Sequence, residues 1–530
     1  METLHNKKKT AIMLSIMAAL LFSSLNQTIV GTVLPKIISE LGGINYFSWV
    51  FTIFMLTSSI TGVLVGKLSD IYGRKPFILA GLIIFMTGSL LAGTSSTMIQ
   101  LIIYRGVQGL GAGMIISTAF SSVADLYPPR ERGKWQGLLG SVFGLSSILG
   151  PTIGGWIVDY SDWHWVFWIF IPFGVLAFFL IFFMMPSSQK KSSEKIDYLG
   201  SLFLAITLGS LLSLFSLGGK SFEWVSVYSL FLFILSIGAL IIFVYIEGRA
   251  KSPVLPLCLF KTKEFTLANI INFTVGVAMF GSIMYTPFFI QGVQGASATS
   301  SGIIMMPMTL SLVAASAISG QVMSKTGKYK SLLILGLFFI LLGVYFKSTL
   351  KPDSSVTLVV IYNIITGIGL GSVFPILLIS VQNTASDKLT GVATSSVQMF
   401  RQIGGTIGVA IFGTLLTTRM ENEMGSVVGK KLLLKKFNES DESALIVSKV
   451  SNPQILLNQE KLDAFISTIP PNIKPAIDEL IVLSKLALSN SITYVFLICT
   501  LIVAISLVLV FFIKEIPLRT NMNIEGNDKC

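Results

Sequence analysis

The chain has 530 residues, 52% apolar and only 12% charged, with a formal net charge of +12 and a mean hydropathy of +0.78. That balance excludes an ordinary soluble enzyme, in which about a quarter of residues are charged. Two histidines and three scattered cysteines exclude a disulfide scaffold and a His- or Cys-built metal centre.

A helix needs about 20 apolar residues to cross a bilayer core. Such runs recur at 11–34, 47–67, 77–95, 98–123, 135–158, 164–185, 198–218, 225–246, 265–291, 301–323, 331–348, 355–381, 389–418 and 487–513, which predicts fourteen transmembrane helices and an all-α membrane protein. The first run follows Lys7, Lys8 and Lys9 but continues to Pro35 without a convincing cleavage site, so it is expected to stay as a span. Counting Lys and Arg gives 23 on the side of the N-terminus and four in the short loops opposite, at Lys36, Lys220, Lys347 and Lys351; nine more lie in the outer 419–486 segment, which is too long for the rule to constrain. The excess of positive charge marks the cytoplasmic side, so both termini are expected there. The net charge is then topological, and no nucleic-acid partner is implied. By this topology Cys258 lies in a cytoplasmic loop, Cys499 in the last span and Cys530 at the end of the sequence, so none faces an oxidising exterior and no disulfide is expected.

The sequence repeats itself. Gly66, Asp70, Gly73 and Arg74 return as Gly320, Ser324, Gly327 and Lys328, at an offset of 254. Tyr104, Arg105, Gly109, Gly111 and Gly113 return as Tyr362, Asn363, Gly367, Gly369 and Gly371, at 258, and Gly150 and Gly154 return as Gly404 and Gly408, again at 254. Spans 1–6 thus match spans 9–14, and spans 7 and 8 read as an insert. The expected division is an N-terminal six-helix half over 1–190, a two-helix insert over 191–255, and a C-terminal half over 256–530 with a long outer segment at 419–486. Two like halves suggest a cavity between them, open to alternate sides.

Between spans two and three, the two glycines of Gly66 to Arg74 allow a tight turn, Asp70 can face a helix N-terminus or a cation, and Arg74 can face a carboxylate. Positive charge set only by topology would explain Arg74 but not Asp70. In span four, Arg105 and Gln108 precede Gly109, Gly111 and Gly113. A membrane-embedded Arg costs at least about 2.5 kcal/mol unless it snorkels or finds partners, so Arg105 either reaches the outer rim or serves a buried site. In span five, Gly140, Gly144, Gly150, Pro151, Gly154 and Gly155 allow close helix approach and a bend.

These stretches resemble the signatures of the major facilitator superfamily, and within it the fourteen-span drug:proton antiporter branch, over nearly the whole chain. The resemblance implies major-facilitator halves, multidrug efflux across the cell membrane, a role for Arg105 in proton transfer, gating by Asp70, Gly73, Arg74 and Asp125, and an antiport motif at Gly144, Gly150, Pro151 and Gly154 that favours export. The insert, the stretch from Pro256 to Asn269, and Arg401 to Gly408 also look like that branch. Arg401 is placed near mid-membrane as a cavity residue.

One position departs from the pattern. Asn26 stands where exporters of this branch carry Asp, and an amide cannot titrate. No Asp or Glu lies inside any predicted span; the nearest are at the rims, Asp159, Asp162 and Glu223 outside, Asp70, Asp125 and Glu247 inside. An interior with two Arg and no acid repels a lipophilic cation, so the expected substrate is not a permanent monocation. Asp159 and Glu223, helped by His164, are the remaining protonation candidates, or else solvated rim residues.

The 419–486 segment is expected to form short amphipathic helices on the outer surface, a lid, or an irregular loop. Met305, Met306, Phe280, Tyr285, Phe288 and Phe289 either line a cavity or pack. No Gly-rich nucleotide loop is present, no cofactor or metal is implied, and the partners expected are a small molecule, protons and membrane lipid, with the chain a monomer. The alternatives are an uncoupled facilitator, an exporter of an endogenous anionic or zwitterionic metabolite, a membrane enzyme, or a transporter-like sensor.

Overall fold

The computed structural model describes residues 6–41, 47–186, 197–219, 222–250, 253–296, 298–386, 389–427, 466, 467, 469 and 474–515. Fourteen described helices are long and apolar enough to cross a membrane. They are α1 (Asn6–Leu41), α2 (Phe47–Tyr72), α3 (Arg74–Ala92), α4 (Met98–Leu126), α5 (Pro129–Tyr160), a sixth span made of α6 (Trp165–Trp168) and α7 (Ile171–Met184), α8 (Tyr198–Leu217), α9 (Val227–Glu247), α10 (Lys263–Phe288) with a π-helical end at Phe289–Val293, α11 (Ala298–Thr326), α12 (Lys330–Ser348), α13 (Val356–Thr384), α14 (Thr390–Val427) and α15 (Lys474–Phe511).

The helices begin where the sequence supplies a side-chain oxygen for the first turn's N–H groups. Thr97 accepts from Gln100 N before α4, Asp197 from Gly200 N before α8, Ser226 from Ser229 N before α9, and Ser355 from Leu358 N before α13. The turn into α3 needs Gly73, whose φ of 91° is open to glycine but strained for other residues. Its repeat partner Gly327 has φ 69° in the α11–α12 turn.

Packing recurs with the sequence. α4 packs on α2 and α3, and α13 on α11 and α12; α1 meets α5, and α10 meets α14. Glycines make the close approaches in both sets. A Cβ on Gly109 would strike Phe54 O and on Gly367 Met308 O, while one on Gly111 would strike Gly81 O and on Gly369 Gly336 O. Backbone contact this close gains dispersion and leaves no room for a side chain. Two further seams tie the sets together, α5 to α11 and α2 to α14. In the first, Gly133 and Gly320 touch backbone to backbone, and Gly144 meets Val313. α8 and α9 pair with each other, and α8 rests on both α2 and α14. Large apolar side chains such as Phe173, Phe183, Ile241 and Val508 face outward, as a lipid-facing surface requires.

Three expectations need correcting. α14 runs on to Val427 and α15 starts at Lys474, so the ends of the 419–486 segment are helical extensions of the spans; Arg419 pairs with Glu423 at 2.9 Å, and Asn490 donates to Glu423 at 3.2 Å across them. Charged residues such as Arg419, Glu421, Glu423, Asp478 and Glu479 interrupt the apolar runs there, so a reading by uninterrupted runs ends the spans early. The middle of that segment lies outside the described residues. Cys258 is disulfide-bonded, where none was expected, whereas Cys499 is buried and free; a bond depends on proximity, which residue counting does not supply. Lastly, Lys347 is not in a loop, as described next.

Candidate functional site

At the face carrying the Gly73 turn, the four expected gating residues come together. Arg74 ion-pairs with Asp70 through Nη2, donates from Nε to Asp125 Oδ2 at 2.9 Å, and bonds Ser69 Oγ through Nη1. Asp70 then reaches across the α2–α14 seam. Its Oδ1 accepts from Gly391 N and its Oδ2 from Val392 N, both at 3.1 Å, in the first turn of α14. A carboxylate there meets two otherwise unpaired N–H groups and the positive end of the helix dipole. Gly66 has no room for a side chain beside Ser395, and Ser395 Oγ lies 2.9 Å from Ser117 Oγ on α4. The sequence offered Asp70 either a helix N-terminus or a cation, and it has both here; nothing in the sequence named α14 as the helix.

Inside the bundle, α4 projects Arg105 and Gln108 one turn apart into full burial. Arg105 Nη1 donates to Gln108 Oε1 at 2.9 Å, its Nε points to Val50 O at 3.4 Å, and its guanidinium lies 4.3 Å from the centre of the Phe54 ring. Gln108 Nε2 donates to Asn26 Oδ1 at 3.1 Å and to Ser89 Oγ at 2.7 Å. The result is a polar string through α4, α1 and α3. Two donors on it, Arg105 Nη2 and Asn26 Nδ2, are buried without a hydrogen-bond partner. Arg105 does not snorkel.

The span-five glycines serve two neighbours. Gly150 abuts Thr28 of α1, and Thr28 Oγ1 donates to Ser146 O at 2.9 Å; Gly144 abuts α11. Gly154 is buried, while the side chains of Pro151 and Asp159 lie outside the described residues. Arg401 is half-buried on α14, bonded to Gln398 and 4.8 Å from the Phe374 ring centre. Gln402 beside it donates to Met55 O at 3.2 Å across the α2–α14 seam. Glu223 is exposed, and His164 is held by Asp162 over the Trp163 ring. Neither reaches the interior string.

Sequence reasoning misplaced Lys347. It is 0% exposed on α12, and its Nζ donates to Ser282 Oγ at 2.8 Å and Thr286 Oγ1 at 3.3 Å on α10. The signal was available, because Leu333, Leu337, Ile340 and Val344 share its helical face and all are buried. Lys347 therefore joins Arg105 and Arg401 as a basic side chain drawn into the bundle. Since burying an amine without an acid is costly, Lys347→Met is expected to keep or raise the thermal midpoint in detergent, while Lys347→Glu lowers it by several degrees. Thermal unfolding followed by intrinsic fluorescence checks both.

Among the described residues no group of three His, Cys, Asp or Glu could hold a metal. A helical bundle crossing the membrane fourteen times, with buried polar groups inside and an ion-pair latch at one face, defines a multi-pass membrane transport protein. The chain belongs to the Major Facilitator Superfamily, whose profile matches residues 16–409, and is a secondary transporter rather than an enzyme. It is 36% identical over 523 residues to the multidrug transporter protein MdtP of Bacillus subtilis (strain 168), covering 98% of this chain and 96% of that one. It is 33% identical over 509 residues to multidrug resistance protein 3 of the same organism, covering 96% of each. Among solved structures, the human organic anion transporter MFSD10 superposes with a TM-score of 0.60 at 14% identity, covering 93% of this chain and 99% of that one. The proton:xylose symporter XylE also gives 0.60, at 12% identity and 97% coverage of each. At these identities the solved structures speak for the fold alone.

Proposed function

We propose that this protein exports small lipophilic, drug-like compounds across the cell membrane by proton-coupled alternating access. Full-length similarity to two proteins named for multidrug transport and resistance supports export of drugs. α1–α7 and α10–α15 act as the two halves and α8–α9 as the insert, a reading supported by the repeated glycine contacts. Both termini are cytoplasmic. The Asp70, Gly73, Arg74 and Asp125 latch then closes the cytoplasmic side, and the Gly144 to Gly154 stretch lets α5 approach α1 and α11.

The observation that carries the substrate class is the string from Arg105 to Asn26, with two buried donors lacking partners. Donors without acceptors invite a substrate oxygen, and Arg105, Arg401 and Lys347 repel a permanent cation. Zwitterionic, anionic or neutral compounds are therefore preferred over monocations, and an endogenous anionic metabolite is the second reading, on the same observation.

The test is transport in inverted membrane vesicles under an imposed pH gradient, comparing a monocationic dye with a zwitterionic antibiotic. Gradient-driven accumulation of the zwitterion, at least about tenfold over the dye, is expected. Accumulation of the dye alone would overturn the charge argument, and accumulation independent of the gradient would leave an uncoupled facilitator.

A further inference from the structure

α8 and α9 carry two acidic groups that no part of the transport reading uses. Asp197 caps α8, its Oδ1 accepting from Gly200 N at 2.8 Å, and its Oδ2 is buried without a hydrogen-bond partner. Glu247, the last residue of α9, is 4% exposed; Oε1 accepts from Leu255 N where the chain folds back over it, and Oε2 is buried without a partner. The two orphan oxygens converge on the bare α-carbon of Gly200. A Cβ there would strike Asp197 Oδ2 and lie 2.9 Å from Glu247 Oε2. Beside them is a cavity of about 10 Å³, lined by Lys67 of α2 together with Asp197, Ser201 and Val254, room for about one water.

We propose that Asp197 and Glu247 form a proton-binding site, and that its occupancy is transmitted to α2 through Lys67. Two acceptor-only oxygens brought together, buried, at Gly200 repel, so one proton shared by the pair is the arrangement that satisfies both: the acid's O–H donates and the other carboxylate accepts. The proton arrives from and returns to solvent by way of that cavity, with no other bond made or broken. The charged groups acting on Glu247 are Asp197 from α8 and Lys67 from α2, while Arg249 lies over the Tyr245 ring. With the proton bound, one negative charge faces Lys67; without it, two do. Lys67 is buried one turn before Asp70, so a change in its pull acts on the helix that carries the latch. The insert would then sense protons at the Gly73 face, whether or not transport itself is coupled to them.

The test is infrared difference titration of the purified protein in lipid, reading the protonated-carboxyl band, with Glu247→Gln and Asp197→Asn. In the wild type a band is expected to persist to about pH 6 or above, beyond ordinary carboxyl behaviour. It should vanish in Glu247→Gln, and also in Asp197→Asn, whose amide donates to Oε2 and removes the need for a proton. Gly200→Ala, which forces the carboxylates apart, should lower the midpoint by about one pH unit and serves if the other variants fold poorly. The reactivity of a cysteine placed at exposed Tyr72, in a background without the native cysteines, should change over the same interval and lose that change in both variants. A wild-type band that survives Glu247→Gln, or a Tyr72→Cys reactivity flat across the titration, overturns the proposal.

Discussion

Arg105→Ala is expected to lower the initial rate of zwitterion transport in inverted vesicles by about 100-fold, while the protein still folds and inserts. The removed contacts set the size: a charged hydrogen bond to Gln108 is worth about 1.5–3 kcal/mol, and a buried guanidinium on the Phe54 face about 2 kcal/mol. A 100-fold change corresponds to about 2.7 kcal/mol, within that range. Folding should survive, because the same substitution removes a buried charge that lacks an acid partner. Arg105→Lys should recover only part of the rate, since an ammonium cannot both reach Gln108 and lie flat on Phe54. Wild-type transport in Arg105→Ala would remove the α4 string from the substrate or proton route.

How much of this was open to sequence reading differs residue by residue. The spans were legible because a bilayer fixes helix length and demands apolar side chains, and the hairpin at Gly73 because few residues adopt its φ of 91°. Arg105 and Gln108 stood out for the same reason, as polar groups in a costly place. Asn26 stood out too, but not as their partner, and Ser89 did not stand out at all. Asn26 and Ser89 join the string only through the rotation of α1 and α3 against α4, which is settled by glycine contacts such as Gly88 on Gln108 and not by local pattern. Lys347 was misread because loop counting weighs charge by distance from a span's end, whereas the buried stripe on α12 decides which way the side chain points. Glu247 was taken as a rim residue, yet the return of the chain at Leu255 covers it, a contact eight residues away that has no hydropathy signature.

The latch yields the second large effect. In Asp70→Asn, cysteines placed at Ser117 and Ser395 should cross-link at least about tenfold more slowly than in the wild type, in a background without the native cysteines. The two hydroxyls are 2.9 Å apart across α4 and α14 when the latch is made, so the pair reports closure at this face directly. An asparagine offers one acceptor oxygen where Asp70 offers two, so it cannot hold both Gly391 N and Val392 N, and it carries no charge for Arg74 or for the α14 dipole. Breaking a buried ion pair costs about 3–5 kcal/mol, several decades in a two-state equilibrium. Asp125→Asn should do less. Asp125 bonds Arg74 on the same side of the seam, so its loss weakens Arg74's hold on Asp70 without removing the carboxylate that crosses to the other helix. If the two variants slowed cross-linking equally, the closing force would lie in the Arg74 ion pairs rather than in the capping of α14, and if neither did, the glycine contacts of the α2–α14 seam would be sufficient to keep this face shut.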